Sequence, residues 1–196
     1  MVRTVKDPHE RKKQLLDVAM RLFAEMGYDN VSVRSVARAA GVASGLAYHY
    51  FDSKEALFSA AIKNYSCQCA EEICSILDNN ELSLEQKLDA IIVIVSNHNQ
   101  FEYSSFFHSD NNRALHDRLS LGICEEVKPH LQRALELDAA LNGFSDKDAG
   151  TLASMMTYSC IELFAMDPEE MDLNTIKRFL DALIAKYRKG YNSKMK

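Results

Sequence analysis

Between residues 33 and 50, three small or flexible residues fall at spacings that few local structures satisfy. Ala37 is followed by Gly41 four positions later and by Ala47 ten positions later, inside two short apolar-periodic segments. Two short helices crossing steeply over a tight turn need a small residue where their backbones approach and a residue tolerant of positive φ in the turn. They also need an inward apolar residue on the second helix. Val36, Ala40 and Val42 fill the space between. The spacing predicts a helix-turn-helix whose first helix starts at Val33 with Ser32 as N-cap, and whose second runs from Ser44 to Tyr50.

The flanks extend this into a small bundle. From His9 to Met26 the residues Leu15, Leu16, Ala19, Leu22, Phe23 and Met26 recur on one helical face, with Arg11, Lys12, Lys13 and Arg21 opposite, and Gly27 supplies the stop. After Phe51, Asp52 or Ser53 can cap a long fourth helix that begins with Lys54 and Glu55. We expect a domain over residues 1–63 and a second over 64–196.

The stretch from Val33 reads VRSVARAAGVASGLAYHYFDSKEALFSAAI. Its Tyr48-His49-Tyr50-Phe51, the Asp52-Ser53 loop and Lys54-Glu55-Ala56-Leu57, together with RLFAEMGYDNVSVRSVA before it, resemble the TetR/AcrR family of transcription regulators. The resemblance covers roughly residues 10–62 and implies that the Ser44–Tyr50 helix enters a DNA major groove. Position by position, it implies that Arg34, Ser44, Gly45, Leu46, Tyr48 and His49 face the DNA. Tyr48, Tyr50, Lys54 and the helix start behind Ser32 would hold phosphates. Tyr50 and Phe51 also read as core, Phe51 above all, since it has no polar handle.

Charge is distributed in keeping with this. The net charge is -5, yet residues 1–63 carry +3 and residues 64–196 carry -8. Attraction to phosphate is local, so a basic head on an acidic body suits a double-stranded DNA partner. Seven Gly, three Pro and no Trp in 196 residues disfavour a turn-rich β architecture and point to an all-α fold.

In the second part, helices are expected over Leu84–Asn97, over Leu115–Leu141 with an interruption at Pro129, and over Leu152–Met166, apolar nearly all round. A last helix carries Ile176, Phe179, Leu180, Leu183, Ile184 and Tyr187 at three- and four-residue steps. The resemblance implies that the last two helices form a homodimer interface, for which Met155, Ile176, Phe179, Leu180, Leu183 and Tyr187 are the candidates. It further implies a small-molecule effector among the middle helices, largely apolar, whose binding moves the fourth helix and releases a palindromic operator. His98, Phe101, Tyr103, Phe106, Phe107, His116, Tyr158 and Glu162 are the candidate pocket, with His108 nearby.

Other classes fit less well. The longest apolar run, Ala90 to Val95, is far short of a membrane span, and no secretory h-region opens the chain, so a cytoplasmic protein is expected. His98, His108 and His116 share no helical register, and Cys67 and Cys69 point to different faces, so no metal or other cofactor is implied. Five cysteines inside helical patterns read as reduced thiols. A redox switch through Cys67, Cys74, Cys124 or Cys160 is the alternative, as is a chromosome-organising protein of the same fold. No Gly-rich phosphate loop, Gly-x-Ser-x-Gly or His-Glu-x-x-His is present, which argues against an enzyme.

Overall fold

A computed structural model describes residues 7–97, 101–109, 112–143, 145–161 and 172–189. Among them every regular element is helical: α1 (Pro8–Met26), α2 (Val33–Ala39), α3 (Ser44–Tyr50), α4 (Lys54–Asp78), α5 (Leu84–Ser96), α6 (Ser104–Phe107), α7 (Arg113–Asn142), α8 (Ala149–Tyr158) and α9 (Leu173–Lys189). The chain divides into two compact units, Met1–Gln68 and Cys69–Lys196, and α4 runs unbroken through the division.

In the first unit, α1 buries Leu15, Leu16, Ala19, Met20 and Phe23. Proline in the first turn, where its missing N–H costs nothing, and Asp7 accepting from His9 N start the helix. Ser32 and Ser35 form a reciprocal capping box that starts α2. The helix stops at Gly41, with φ at +67°: Val42 N donates to Ala37 O at 2.9 Å and Gly41 N to Arg38 O at 3.1 Å, the paired bonds of a Schellman turn. Gln14 Nε2 takes the Ala40 carbonyl at 3.1 Å, so the end of α2 is tied to α1 as well. Ala37 and Ala47 are both fully buried, as the close crossing requires.

In the second unit α7 is continuous through Pro129, against the expected interruption. The proline lies on the exposed face, while Ile123, Val127 and Leu131 pack inward on either side of it, and that burial outweighs the lost backbone bond. The expected helix from Leu152 starts earlier, at Ala149, and ends at Tyr158; residues 162–166 lie outside the described part. Within the protomer it is buried on one side only: Leu152, Ala153, Met156 and Thr157 are buried, Met155 and Tyr158 exposed. The short α6 was not anticipated; its Phe107 is buried beside Phe106, ring centroids 5.1 Å apart.

Buried charge organises this unit. Lys87 is almost wholly buried and donates from Nζ to Leu77 O at 2.7 Å, satisfying a carbonyl in the last turn of α4. Burial holds its ammonium below the ordinary lysine value. From α9, Arg188 binds Asp138 on α7 and Glu85 on α5.

Candidate DNA-binding and effector sites

The outer face of the helix-turn-helix is formed by what the core leaves over. In α3 only Ala47 is buried; Ser44, Gly45, Tyr48 and His49 are exposed and Leu46 is half-exposed. Gly45 is informative because nothing lies within 4 Å of where a Cβ would stand, and its φ is not positive. The protein's own packing does not require glycine there. Arg34 is exposed in the first turn of α2, and Ser32, also exposed, has its hydroxyl engaged in the capping box.

Two predicted phosphate ligands are tied inside the unit. Tyr50 is half-buried and donates to Pro8 O at 3.3 Å, while Phe51 is core. Lys54 Nζ donates to Asp29 O at 3.2 Å and stands 4.2 Å from the centroid of the Tyr28 ring. Tyr28 in turn donates to Glu55 Oε1 at 3.1 Å and packs with Phe23 and Phe58. The Glu55 backbone N–H and then the Ser53 and Tyr28 hydroxyls hold that carboxyl below its ordinary value. The start of α4 is thereby locked onto the α1–α2 loop, a link between Tyr28 and Lys54 that no local pattern announces. Elsewhere in this unit His9, Lys12, Lys13 and Lys63 border a shallow concavity of about 370 Å³ between α1 and α4.

In the second unit an apolar cavity of about 80 Å³ is walled by Ile73 and Leu77 of α4 and by Leu88, Ile91 and Val95 of α5. α7 contributes Ile123, Cys124, Val127 and Leu131, and the far side is Met156, Thr157, Cys160 and Leu180. None of the aromatic residues expected to form a pocket is among them. Phe107 and His116 are buried, the His116 ring 5.0 Å from that of His108; Phe101, Tyr103 and Phe106 are half-exposed. Tyr158 is turned outward near Lys128. His98 and Glu162 lie outside the described residues. The cavity is built from aliphatic positions, which periodicity marks only as core.

The candidate interface residues divide in two. Met155 and Phe179 are 56% and 61% exposed. Ile176, Leu180, Leu183 and Tyr187 are half-buried within the protomer, with Leu180 on the cavity wall and the Tyr187 hydroxyl 3.4 Å from Leu135 O. Burial pushes that phenol up to about 12. Much of the apolar stripe of α9 therefore covers the body itself.

A tight turn on Gly41 followed by an exposed second helix is the geometry of a helix-turn-helix. Residues 15–61 match the family model described as bacterial regulatory proteins, tetR family. The transcriptional repressor KstR2 of Rhodococcus jostii is 46% identical over 55 residues, which are 28% of this chain and 27% of that protein. The transcriptional regulator BetI of Escherichia coli is 31% identical over 83 residues, 42% of this chain and 43% of that protein. The chain thus matches less than half the length of either relative. Among solved structures, the TetR family repressor AlkX of a Dietzia strain superposes with a TM-score of 0.63 at 20% identity, covering 90% of this chain and 97% of that one. A transcriptional regulator of Pseudomonas aeruginosa gives 0.60 at 19% identity, covering 100% and 99%. Over residues 15–61 the chain is thus similar to the tetR family of bacterial regulatory proteins, and over its whole length it shares the fold of the solved structures. Both relatives are helix-turn-helix transcription regulators. No helix among the described residues is long and apolar enough to cross a membrane.

Proposed function

We propose that the chain is a cytoplasmic, ligand-responsive repressor that binds a palindromic DNA operator as a homodimer and is released by a small molecule. The observation that carries the DNA half is the exposed face of α3, where Gly45 is free of any packing demand beside Tyr48 and His49. A backbone without Cβ lets the helix approach base edges closely, and Arg34 offers a bidentate donor for guanine, worth about 1–3 kcal/mol of discrimination. Two such heads about 34–36 Å apart would read one helical turn of duplex, which requires a dimer. Met155 and Phe179 supply exposed apolar surface for it on the last two helices.

The cavity supports the effector half. Ile73 and Leu77 on its wall belong to the same unbroken helix whose first turn, at Lys54, is locked to Tyr28 and Asp29. An occupant that displaces the one end of α4 acts on the other, and by linkage operator binding weakens effector binding to the same extent. Footprinting followed by fluorescence anisotropy on the protected site tests the reading. One or a few palindromes near a promoter are expected, with affinity lowered at least tenfold by Arg34→Ala. Scattered protection without palindromes, or unchanged affinity in the variant, would sink it.

A further inference from the structure

Among the described residues that line the body cavity, none carries a charge. The three polar side chains there have directed their protons at the backbone of α8. Thr157 Oγ1 donates to Ala153 O at 2.6 Å, Cys124 Sγ to Thr157 O at 3.2 Å and Cys160 Sγ to Met156 O at 3.1 Å. The ammonium of Lys87, next in sequence to the lining Leu88, is held by Leu77 O. A carboxylate or other ionised headgroup entering this space would lose its water and meet no partner from these residues. A hydrocarbon has no such loss. The polarisable sulfurs of Cys124, Met156 and Cys160 add favourable contact with a ring or an alkyl surface.

We infer that the effector is a small uncharged hydrocarbon-like molecule without an ionised headgroup, gripped by the aliphatic and sulfur-bearing walls of this cavity. The inference rests on reading the second unit as the effector-binding part. The cavity, at about 80 Å³, is smaller than the roughly 150 Å³ void that admits benzene. A ring-sized occupant therefore spreads the walls, Ile73 and Leu77 of α4 among them. Size and chemistry together couple occupancy to helix displacement.

Toluene and benzoate, one ring with and without a carboxylate, are the probes, titrated into the full chain at pH 7.5 without DNA. Equilibrium dialysis and thermal melting report binding. Toluene is expected to bind at least 100-fold tighter than benzoate and to raise Tm. Ile91→Phe and Leu180→Phe, each filling the void from a half-buried wall, should abolish toluene binding with unchanged far-UV circular dichroism; two variants guard against one failing to fold. Benzoate binding as tightly as toluene overturns the inference, and loss of that binding in Lys87→Met would make the lysine an acid anchor instead. No toluene binding up to its solubility overturns it, as does toluene binding undiminished in both filled variants. Operator capture is measured separately: a chain that binds toluene in this cavity but protects no DNA refutes the proposed regulator and leaves the ligand chemistry standing.

Discussion

Arg188 grips Asp138 through two parallel hydrogen bonds, Nε to Oδ2 at 2.9 Å and Nη2 to Oδ1 at 2.7 Å. Its Nη1 reaches Glu85 Oε1 at 2.5 Å, so one guanidinium joins α5, α7 and α9. Asp138 is only 8% exposed, and Asn142 Nδ2 gives its carboxylate a third hydrogen bond, the second on Oδ1. Arg188→Met would leave that carboxylate buried without its countercharge. A loss of about 2–4 kcal/mol is expected in urea unfolding, with part of it recovered in the double variant Arg188→Met/Asp138→Leu. A loss below about 0.5 kcal/mol would reduce the clasp to an ordinary surface pair.

The same clasp carries a pH dependence. Hydrogen bonding from Arg188, foremost, holds the Glu85 carboxyl below its ordinary 4.5. A carboxyl depressed in the folded state stabilises the fold above the ordinary value and loses that contribution as pH falls through the folded one. Tm should therefore drop between about pH 5 and pH 3, and the drop should be shallower in Glu85→Gln. Identical profiles for the two proteins would remove Glu85 from the acid response.

Gly41 and Gly45 sit four residues apart in sequence and meet opposite demands. At Gly41 the positive φ strains any side chain, so Gly41→Ala should cost about 1 kcal/mol or more in stability. Gly45 has open space and ordinary helical backbone, so Gly45→Ala should leave stability unchanged or raise it by up to about 1 kcal/mol. Only the second substitution should weaken operator binding at full folding, read by anisotropy beside a thermal melt. Wild-type affinity in Gly45→Ala would take α3 out of the groove.

Lys54 and Arg34 separate by salt dependence. Lys54 is already committed to Asp29 O and the Tyr28 ring, so Lys54→Met should lower Tm slightly and leave the slope of log K against log salt within about 0.3 of wild type. A slope smaller by about 0.9 would show that the lysine leaves its internal partners for a phosphate.

Thiol chemistry discriminates against a redox switch in the body. Burial pushes the Cys124 thiol up to about 12 and raises that of Cys160, whereas Cys67 is exposed. With a disulfide reagent at pH 8, Cys67 should react first, and Cys124 and Cys160 only on denaturation. Fast modification of Cys124 in the native protein would restore the redox alternative.

The helix-turn-helix was legible because its determinants are local. Ala37, Gly41, Ala47 and the Ser32 cap lie within sixteen positions, and each acts through its own backbone geometry. The body was less so. The stripe on α9 marked an apolar face correctly but could not say what covers it, and Leu180, Ile184 and Tyr187 turned out to pack inward. The aromatic cluster at 101–107 stood out as a candidate pocket, whereas the cavity among the described residues is walled by residues as far apart as Ile73 and Leu180, which periodicity marks only as core. Buried Lys87 and Asp138 carry no sequence signal either, since a charge in an amphipathic helix reads as surface until its partner is known.

The separation between Glu85 and Arg188 has a kinetic consequence. Their 103-residue spacing closes a long loop, whereas the capping box and the turn bonds of α2 span only a few residues and its tie to Gln14 spans 26. Loop-closure entropy makes distant pairings late events in folding. The local bonds of the first unit should therefore form before the ion clasp draws α5, α7 and α9 together, and slowing the clasp should delay closure of the second unit without delaying the first.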